Sequence, residues 1–172
     1  LVNQGLLMFD PEQPHSWYVL TRRAQSLKTR ADVEAYRKGK VLPSELLQPI
    51  LLEKVRPLFM RGDYDTAVFQ AFKLVEVAVR KAAKVKGGSI ADNIVGQKLM
   101  GQAFHIENGA LANRAVIPAE REAEVALFTG GMGHAKNPTS HRDVNLAPQE
   151  AARLIIFASH LHRLTEFEEV RG

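Results

Sequence analysis

The chain has 172 residues, of which 45% are hydrophobic and 24% charged, with a formal net charge of +4 and no cysteine. This length suits one domain with a proper core, or one domain with a short appendage. The lack of cysteine excludes disulfides, thiolate zinc sites and a cysteine nucleophile, and it fits a reducing cytoplasm. No apolar run approaches the roughly 20 residues needed to cross a bilayer. We therefore expect a cytoplasmic protein without a membrane partner.

The positive charge is concentrated in the N-terminal part of the chain. Residues 1–40 hold seven Lys or Arg against four Asp or Glu, whereas residues 41–172 hold sixteen against fifteen. Such a surplus permits an anionic partner such as nucleic acid, and a solvated helix face is the alternative explanation. The chain starts at Leu1 without the basic and apolar regions of a signal peptide, so we expect a fragment or trimmed chain.

The first 40 residues predict a hairpin followed by a charged helix. Two β-favouring runs, residues 6–9 and 17–21, flank a connector rich in Pro and Asp. Trp17 and Tyr18 could stack on bases, although aromatic residues that alternate along a strand are usually core. Residues 22–39 predict one helix that stops at Gly39.

From Leu42 onward the pattern is that of a helical bundle. Residues 43–60 predict a helix with a kink or break at Pro49 and Pro57. Gly62 and Asp63 then predict a stop and a new N-cap. Residues 64–85 form the clearest helix, because apolar side chains recur along one face at spacings of three and four.

Three further helices are predicted in the second half of the chain. Residues 90–104 form a weaker helix interrupted by glycine, and further helices start at Pro118 and near Pro148. The run Gly130-Gly131-Met132-Gly133 lacks the Lys-Ser/Thr pair that follows a phosphate loop, so it indicates close helix packing. The last helix is apolar on more than one face, which favours packing against a second subunit. The fold class is thus mainly α, a helical bundle over residues 41–172 preceded by a short β-hairpin and a charged helix in residues 1–40.

The most chemically pointed segment is residues 136–142, Lys136-Asn137-Pro138-Thr139-Ser140-His141-Arg142. Asn is a favoured N-cap and Pro a favoured first helical residue, which predicts a helix N-terminus at Asn137. Lys136 and His141 would then occupy the two positions that meet in a hydrophobic staple. The spacing therefore predicts an ammonium and an imidazole side by side at a helix end that favours phosphate, with Arg142 as a further cation. A histidine that only satisfies backbone groups is the simpler alternative.

This segment resembles the Arg-(four to six residues)-His motif of the HEPN superfamily, with Lys136 in the place of arginine. The wider chain resembles the Ymh-type branch of bacterial and phage proteins over roughly residues 42–168. The residues that carry this resemblance are Arg61-Gly62-Asp63-Tyr64-Asp65-Thr66-Ala67-Val68-Phe69-Gln70-Ala71-Phe72-Lys73, Glu76, Lys136-Asn137-Pro138, Ser140-His141-Arg142 and Ala158-Ser159-His160-Leu161. The hairpin with Trp17-Tyr18 and Thr21-Arg22-Arg23 is similar to the end of a winged-helix-like region, and a winged helix truncated at Leu1 would explain the abrupt start.

The resemblance implies a dimeric, metal-independent RNA-cleaving or RNA-binding domain with a setting in phage defence or a toxin-like response. His141 would act as general acid or base, Lys136 and Arg142 would stabilise charge on the phosphate, and Asn137 would hold the turn or donate a hydrogen bond to the phosphate. Glu76 would pair with Lys136 or Arg142, as the family pattern suggests; the alternative is an ion pair with Lys73 or Arg80 on its own helix.

The remaining expectations concern partners and cofactors. His134 is a candidate to line the same cleft as Lys136, with a solvated loop position as the alternative. His160 and His162 are two residues apart and would point in different directions on a helix, so we expect no metal site and no cofactor. The expected partners are RNA, a second copy of the chain and, through the N-terminal piece, DNA. A non-catalytic dimerisation domain and a nucleotide-sensing module are the competing functions.

Overall fold

The structure, a computed structural model, describes residues 1–2, 5–10, 12–13, 17–136 and 145–170, with side chains up to residue 166. The chain is mainly helical with one short antiparallel hairpin near its N-terminus, which confirms the predicted fold class. It divides into two compact units, Leu1–Lys40 and Val41–Gly172. None of the helices in the described ranges combines the length and apolar character that crossing a membrane requires.

The N-terminal unit opens with the predicted hairpin. Strands β1 (Leu7–Phe9) and β2 (Tyr18–Leu20) pair antiparallel, with Met8 opposite Val19. Thr21 then caps helix α1 (Arg22–Ser26): its hydroxyl accepts a hydrogen bond from the backbone N–H of Ala24 and donates one to the carbonyl of Gly5.

The single helix predicted over residues 22–39 is wrong. The chain breaks after α1 and resumes as α2 (Arg30–Val41), which passes through the predicted stop at Gly39. The break is caused by a capping box, in which the hydroxyl of Thr29 accepts from the N–H of Asp32 while the Asp32 carboxylate accepts from the N–H of Thr29. These paired bonds satisfy the N–H of Thr29, just before α2, and the N–H of Asp32 in its first turn, and so fix the start of the helix.

The described residues of the C-terminal unit form six α-helices and a short 3₁₀ turn at Ser44–Leu46. The helices are α3 (Pro49–Lys54), α4 (Arg56–Arg61), α5 (Tyr64–Val85), α6 (Gly96–Ala103), α7 (Pro118–Gly131) and α8 (Pro148–Val170). The segment Met132–Lys136 continues α7 as a π-helical turn. The predicted breaks at Pro49 and Pro57 are confirmed, because each proline stands in the first turn of a new helix where its missing N–H costs nothing.

The predicted boundary between α4 and α5 is also confirmed. Gly62 adopts the left-handed conformation (φ 99°) that terminates a helix, and Asp63 is the N-cap residue of α5. The Asp63 carboxylate makes no capping bond, however, and accepts instead from Nε of Arg61 at 3.2 Å.

The core lies between α5 and α8, which pack along each other, with α6 and α7 completing the bundle. Large side chains with no solvent exposure include Leu51 of α3 and, from α4 to α8 with the π-helical turn, Phe59, Phe72, Leu99, Met100, Phe128, Met132, Ile155 and Leu161. Phe104 stacks on Phe128 with ring centroids 4.1 Å apart, joining the end of α6 to α7. A Cβ added at Gly131 would lie 3.1 Å from side-chain atoms of both Phe157 and Leu161, so glycine allows α7 to approach α8 closely.

Candidate functional site

A carboxylate lies within the buried side of the central helix. Glu76 is on α5, where its neighbours Val75 and Val79 have no exposed surface, and Glu76 itself is only 9% exposed. A charged carboxylate at this depth is unfavourable unless it is paired and hydrogen-bonded. The groups that pair with the Glu76 carboxylate are therefore important for the stability of this region.

Lys136 supplies the balancing charge. Its Nζ atom lies 2.5 Å from Oε2 of Glu76, and the two side chains are only 14% and 12% exposed. The same ammonium lies 5.8 Å from the ring centroid of Phe69, within the range of a cation–π contact. The two charges are 60 residues apart in sequence and meet because α5 packs against the turn that extends α7.

The second carboxylate oxygen of Glu76 binds backbone. Oε1 accepts a hydrogen bond from the N–H of Gly96, the first residue of α6. Gly96 has a positive φ of 60°, which glycine adopts without strain. One carboxylate thus joins three elements: α5, the start of α6 and the end of the π-helical turn.

Arg80, one turn after Glu76, extends this arrangement. Its guanidinium donates to the carbonyls of Ile90 at 3.0 Å, Ala91 at 3.2 Å and Ile94 at 2.6 Å. These bonds hold residues 90–94 in an irregular conformation, so the predicted helix over residues 90–104 is wrong in its first part and α6 starts only at Gly96.

Lys136 occupies the last position of the π-helical turn Met132–Lys136. A cation at a helix C-terminus is stabilised by the negative end of the helix dipole. A π-helical turn inside or at the end of an α-helix is uncommon, and such turns are frequent at functional sites. The fold therefore fixes Lys136 immediately before residues 137–142, the segment that carries the rest of the motif.

The structure brings two of the six predicted site residues together, Glu76 and Lys136. Of the two pairings considered for Glu76, the contact with Lys136 is the one observed, while Arg80 binds backbone carbonyls instead. His134 is exposed on the π-helical turn, not in a loop. Asn137, His141 and Arg142 lie outside the described residues, and so does the predicted staple between positions 136 and 141. The roles proposed for these residues stay predictions.

Ser159 on α8, one of the residues that carry the family resemblance, has a structural role. The hydroxyl of Ser159, which is 3% exposed, accepts from the N–H of Gln48 at 2.8 Å and donates to the carbonyl of Leu46 at 3.1 Å. Ser159 thereby joins α8 to the chain before α3. A cavity of about 320 Å³ lies beside this contact, lined in part by His160 and Arg163.

His162, on the same helix, has a largely buried imidazole. Burial lowers its pKa, an effect that Lys81 on α5 reinforces and Glu166 opposes. Nδ1 of His162 lies 3.7 Å from the Glu166 carboxylate, too far for a hydrogen bond. Within the described ranges, no group of three His, Asp or Glu side chains is arranged to hold a metal ion.

Comparison with known families gave one match. A family model described as a protein of unknown function, Hypoth_ymh, matches residues 45–165, which is more than half of the chain. This confirms the resemblance to the Ymh-type branch and leaves the assignment to the HEPN superfamily a prediction. Neither the curated proteins nor the solved structures gave a match.

Proposed function

We propose that this chain, which belongs to the Hypoth_ymh family of proteins of unknown function, carries a HEPN-like RNA-cleaving domain in residues 41–172. The proposal rests on the motif in residues 136–142 and on its similarity to the HEPN motif. Phage defence or a toxin-like response is the biological setting that this similarity implies. The observation that supports the proposal most is the buried ion pair between Glu76 and Lys136.

This ion pair has the properties expected of a contact that holds a functional site in one geometry. Burying two charged side chains to 14% and 12% exposure costs desolvation free energy. A hydrophobic pair of similar volume would often make the fold at least as stable. Such a pair fixes one geometry, however, because Glu76 must satisfy both Lys136 and the Gly96 N–H at once. Lys136, the residue before the segment 137–142, is therefore held in a defined position.

The geometry changes the role that we assign to Lys136. Its charge is balanced by Glu76, so we propose that Lys136 positions the motif and that Arg142 binds the phosphate oxygens on which charge develops. Arginine suits this role because its planar guanidinium can contact two phosphate oxygens at once. Asn137 holds the turn, and the exposed His134 contributes to substrate binding.

In the proposed reaction the ribose 2′-oxygen attacks the adjacent phosphorus. The O2′–P bond forms, the P–O5′ bond breaks, and the products are a 2′,3′-cyclic phosphate and a 5′-hydroxyl. His141 accepts the proton of the 2′-hydroxyl, a role worth roughly 10²–10⁴-fold in rate. The leaving 5′-oxygen takes a proton from a second imidazole, that of the partner subunit's His141 in a two-fold dimer.

The test is cleavage of a mixed RNA pool by the purified chain in the presence of EDTA. We expect the wild type to cleave, and His141→Ala to lose cleavage by at least about 100-fold. His160→Ala is the matched control, since this exposed histidine on α8 lies outside the proposed mechanism. Equal cleavage by the wild type and His141→Ala, or none by either on any RNA tried, would contradict the proposal.

A second comparison tests the positioning role of Lys136. Lys136→Arg keeps the cation opposite Glu76 and restores the residue of the HEPN motif, so we expect it to retain cleavage. Lys136→Met should lose kcat with little change in KM, because the motif is misplaced while the phosphate ligand remains. A rise in KM alone would instead indicate that Lys136 binds the substrate directly.

A further inference from the structure

The hairpin of the N-terminal unit exposes its aromatic side chains. Phe9 is 54% exposed, Trp17 61% and Tyr18 45%, although aromatic residues on strands are ordinarily buried. Phe9 and Tyr18 are cross-strand partners whose ring centroids lie 4.6 Å apart. Trp17 directly precedes Tyr18, and its carbonyl accepts a hydrogen bond from the Asp10 N–H, so alternation along the strand places its side chain on the opposite face of the hairpin. We call the exposed rings of the two faces, Phe9, Trp17 and Tyr18, the aromatic hairpin surface.

Cations follow this surface directly in the chain. Arg22 and Arg23 begin α1 two residues after β2 ends, and both are exposed. On α2, the cation of Lys40 and, to a lesser extent, that of Arg23 lower the pKa of the Tyr36 phenol. The unit as a whole holds seven Lys or Arg against four Asp or Glu. Its surface therefore combines flat apolar rings with an excess of positive charge.

This combination selects one class of partner. Single-stranded nucleic acid offers unpaired bases that stack on aromatic rings and a phosphate chain that binds Lys and Arg. Duplex nucleic acid hides the faces of its bases. An apolar protein surface would leave the positive charge without a counterpart. An anionic membrane also matches the charge, but it has no requirement for rigid, paired rings.

We propose that the aromatic hairpin surface binds single-stranded RNA. Bases stack on Trp17 and on the Phe9–Tyr18 pair, and phosphates contact Arg22 and Arg23. The choice of RNA over single-stranded DNA rests on the proposed function; the stacking itself rests only on the exposed rings and their charged neighbours. The N-terminal unit thus contributes an RNA contact that is independent of the motif in residues 136–142.

Trp17 is the only tryptophan of the chain, so its fluorescence reports directly on the Trp17 face of this surface. The full chain carrying His141→Ala, which keeps RNA intact during the titration, is mixed with a 12-residue uridine oligomer. We expect quenching that saturates, and much less quenching by an abasic oligomer of the same length, which carries the same phosphates without bases. N-acetyltryptophanamide mixed with each oligomer corrects for light absorption.

Variants then test the contacts by anisotropy of a labelled uridine oligomer. Trp17→Leu should weaken binding about 5- to 100-fold, since each stacked base contributes a factor of this size. Arg22→Ala should weaken binding and reduce its salt dependence. The matched control is Val77→Ala, which truncates a similarly exposed apolar residue of the other unit and should bind like the parent. Far-UV circular dichroism checks that each variant is folded.

Three results would overturn this inference. The first is equal binding of abasic and uridine oligomers, and the second is unchanged binding by a folded Trp17→Leu variant. The third is a Trp17 response to anionic phospholipid vesicles without one to RNA. Tighter binding of the matching deoxyuridine oligomer would overturn the assignment to RNA. The cleavage test compares His141 variants and this test compares Trp17 variants, so failure of one is distinguishable from failure of the other.

Discussion

The ion pair between Glu76 and Lys136 makes a quantitative prediction for the substitution Glu76→Gln. Glutamine keeps the volume of the side chain and an oxygen that can accept from the Gly96 N–H, but it removes the negative charge. Lys136, whose side chain is 14% exposed, then loses its contact with the Glu76 carboxylate. Breaking a buried pair in this way costs about 3–5 kcal/mol, and we expect about 3 kcal/mol because the pair retains some solvent contact.

The matched control is Glu150→Gln in the same unit. Glu150 pairs with Arg153 at 3.1 Å on α8, but the Arg153 and Glu150 side chains are 75% and 45% exposed. Water screens such a pair, so its loss should cost about 0.5 kcal/mol or less. The same chemical change thus has a small effect at position 150 and a large one at position 76.

The assay is urea denaturation followed by circular dichroism at 222 nm, which reports on the helices. The double variant Glu76→Gln/Lys136→Met completes a thermodynamic cycle with the two single variants. Because the double variant leaves no unpaired charge, we expect it to be more stable than the sum of the single changes implies, by at least about 1 kcal/mol. The reasoning is refuted if Glu76→Gln destabilises the chain no more than Glu150→Gln does.

Three further predictions concern the bundle. Gly130→Ala should raise the free energy of unfolding by about 0.5–1 kcal/mol, since this helical position is exposed with nothing within 4 Å of an added Cβ. The same change at Gly131, which packs on α8, should raise the free energy of unfolding less. Equal stabilisation by the two changes, measured by thermal denaturation, would contradict the close packing. Arg80→Ala should make residues 90–94 more sensitive to limited proteolysis than Arg80→Lys does, because the three carbonyl contacts are lost; equal cleavage rates would argue against this anchoring. Burial lowers the pKa of His162, so the unfolded chain binds its proton more readily and stability should fall as pH drops below about 6.5; in His162→Gln this part of the pH dependence should be reduced, and an unchanged profile would exclude His162 as its source.

The helices that could be predicted from the sequence are those whose signals are local. The apolar spacing of α5 and the prolines at the starts of α3, α4 and α7 each act within one or two turns, and the structure follows them. The errors arose where side chains act over longer distances or in pairs. Residues 90–94 are held out of a helix by Arg80 from α5, and no local pattern reveals that contact.

The break before α2, at the capping box, was missed for a different reason. Thr29 and Asp32 stand three residues apart, the spacing that such a box requires, so the sequence did contain the signal. The charged residues around it nevertheless favoured the prediction of one continuous helix. The exposure of Trp17 and Tyr18, by contrast, depends on what packs against the hairpin, which the sequence of a single strand does not determine.

One contact of the candidate site, that between Glu76 and Lys136, could be predicted from the sequence as one of two alternatives. The spacing of Lys136 and His141 identified the segment, and Glu76 was recognised as a possible partner for a cation of that segment. Its contact with the Gly96 N–H and the π-helical turn that ends at Lys136 depend on the packing of three helices. These contacts balance the charge of Lys136 and move the proposed phosphate-binding role to Arg142.

The most direct test of the proposed function is the chemistry of the cleaved bond. An RNA oligomer that the wild-type chain cleaves is synthesised again with a single 2′-deoxy residue on the 5′ side of the cleaved phosphate, and both are incubated with the chain in EDTA. The proposal predicts a 2′,3′-cyclic phosphate and a 5′-hydroxyl from the all-RNA oligomer, and no cleavage at the deoxy position. Cleavage at that position, or products with a 5′-phosphate, would contradict attack by the 2′-hydroxyl.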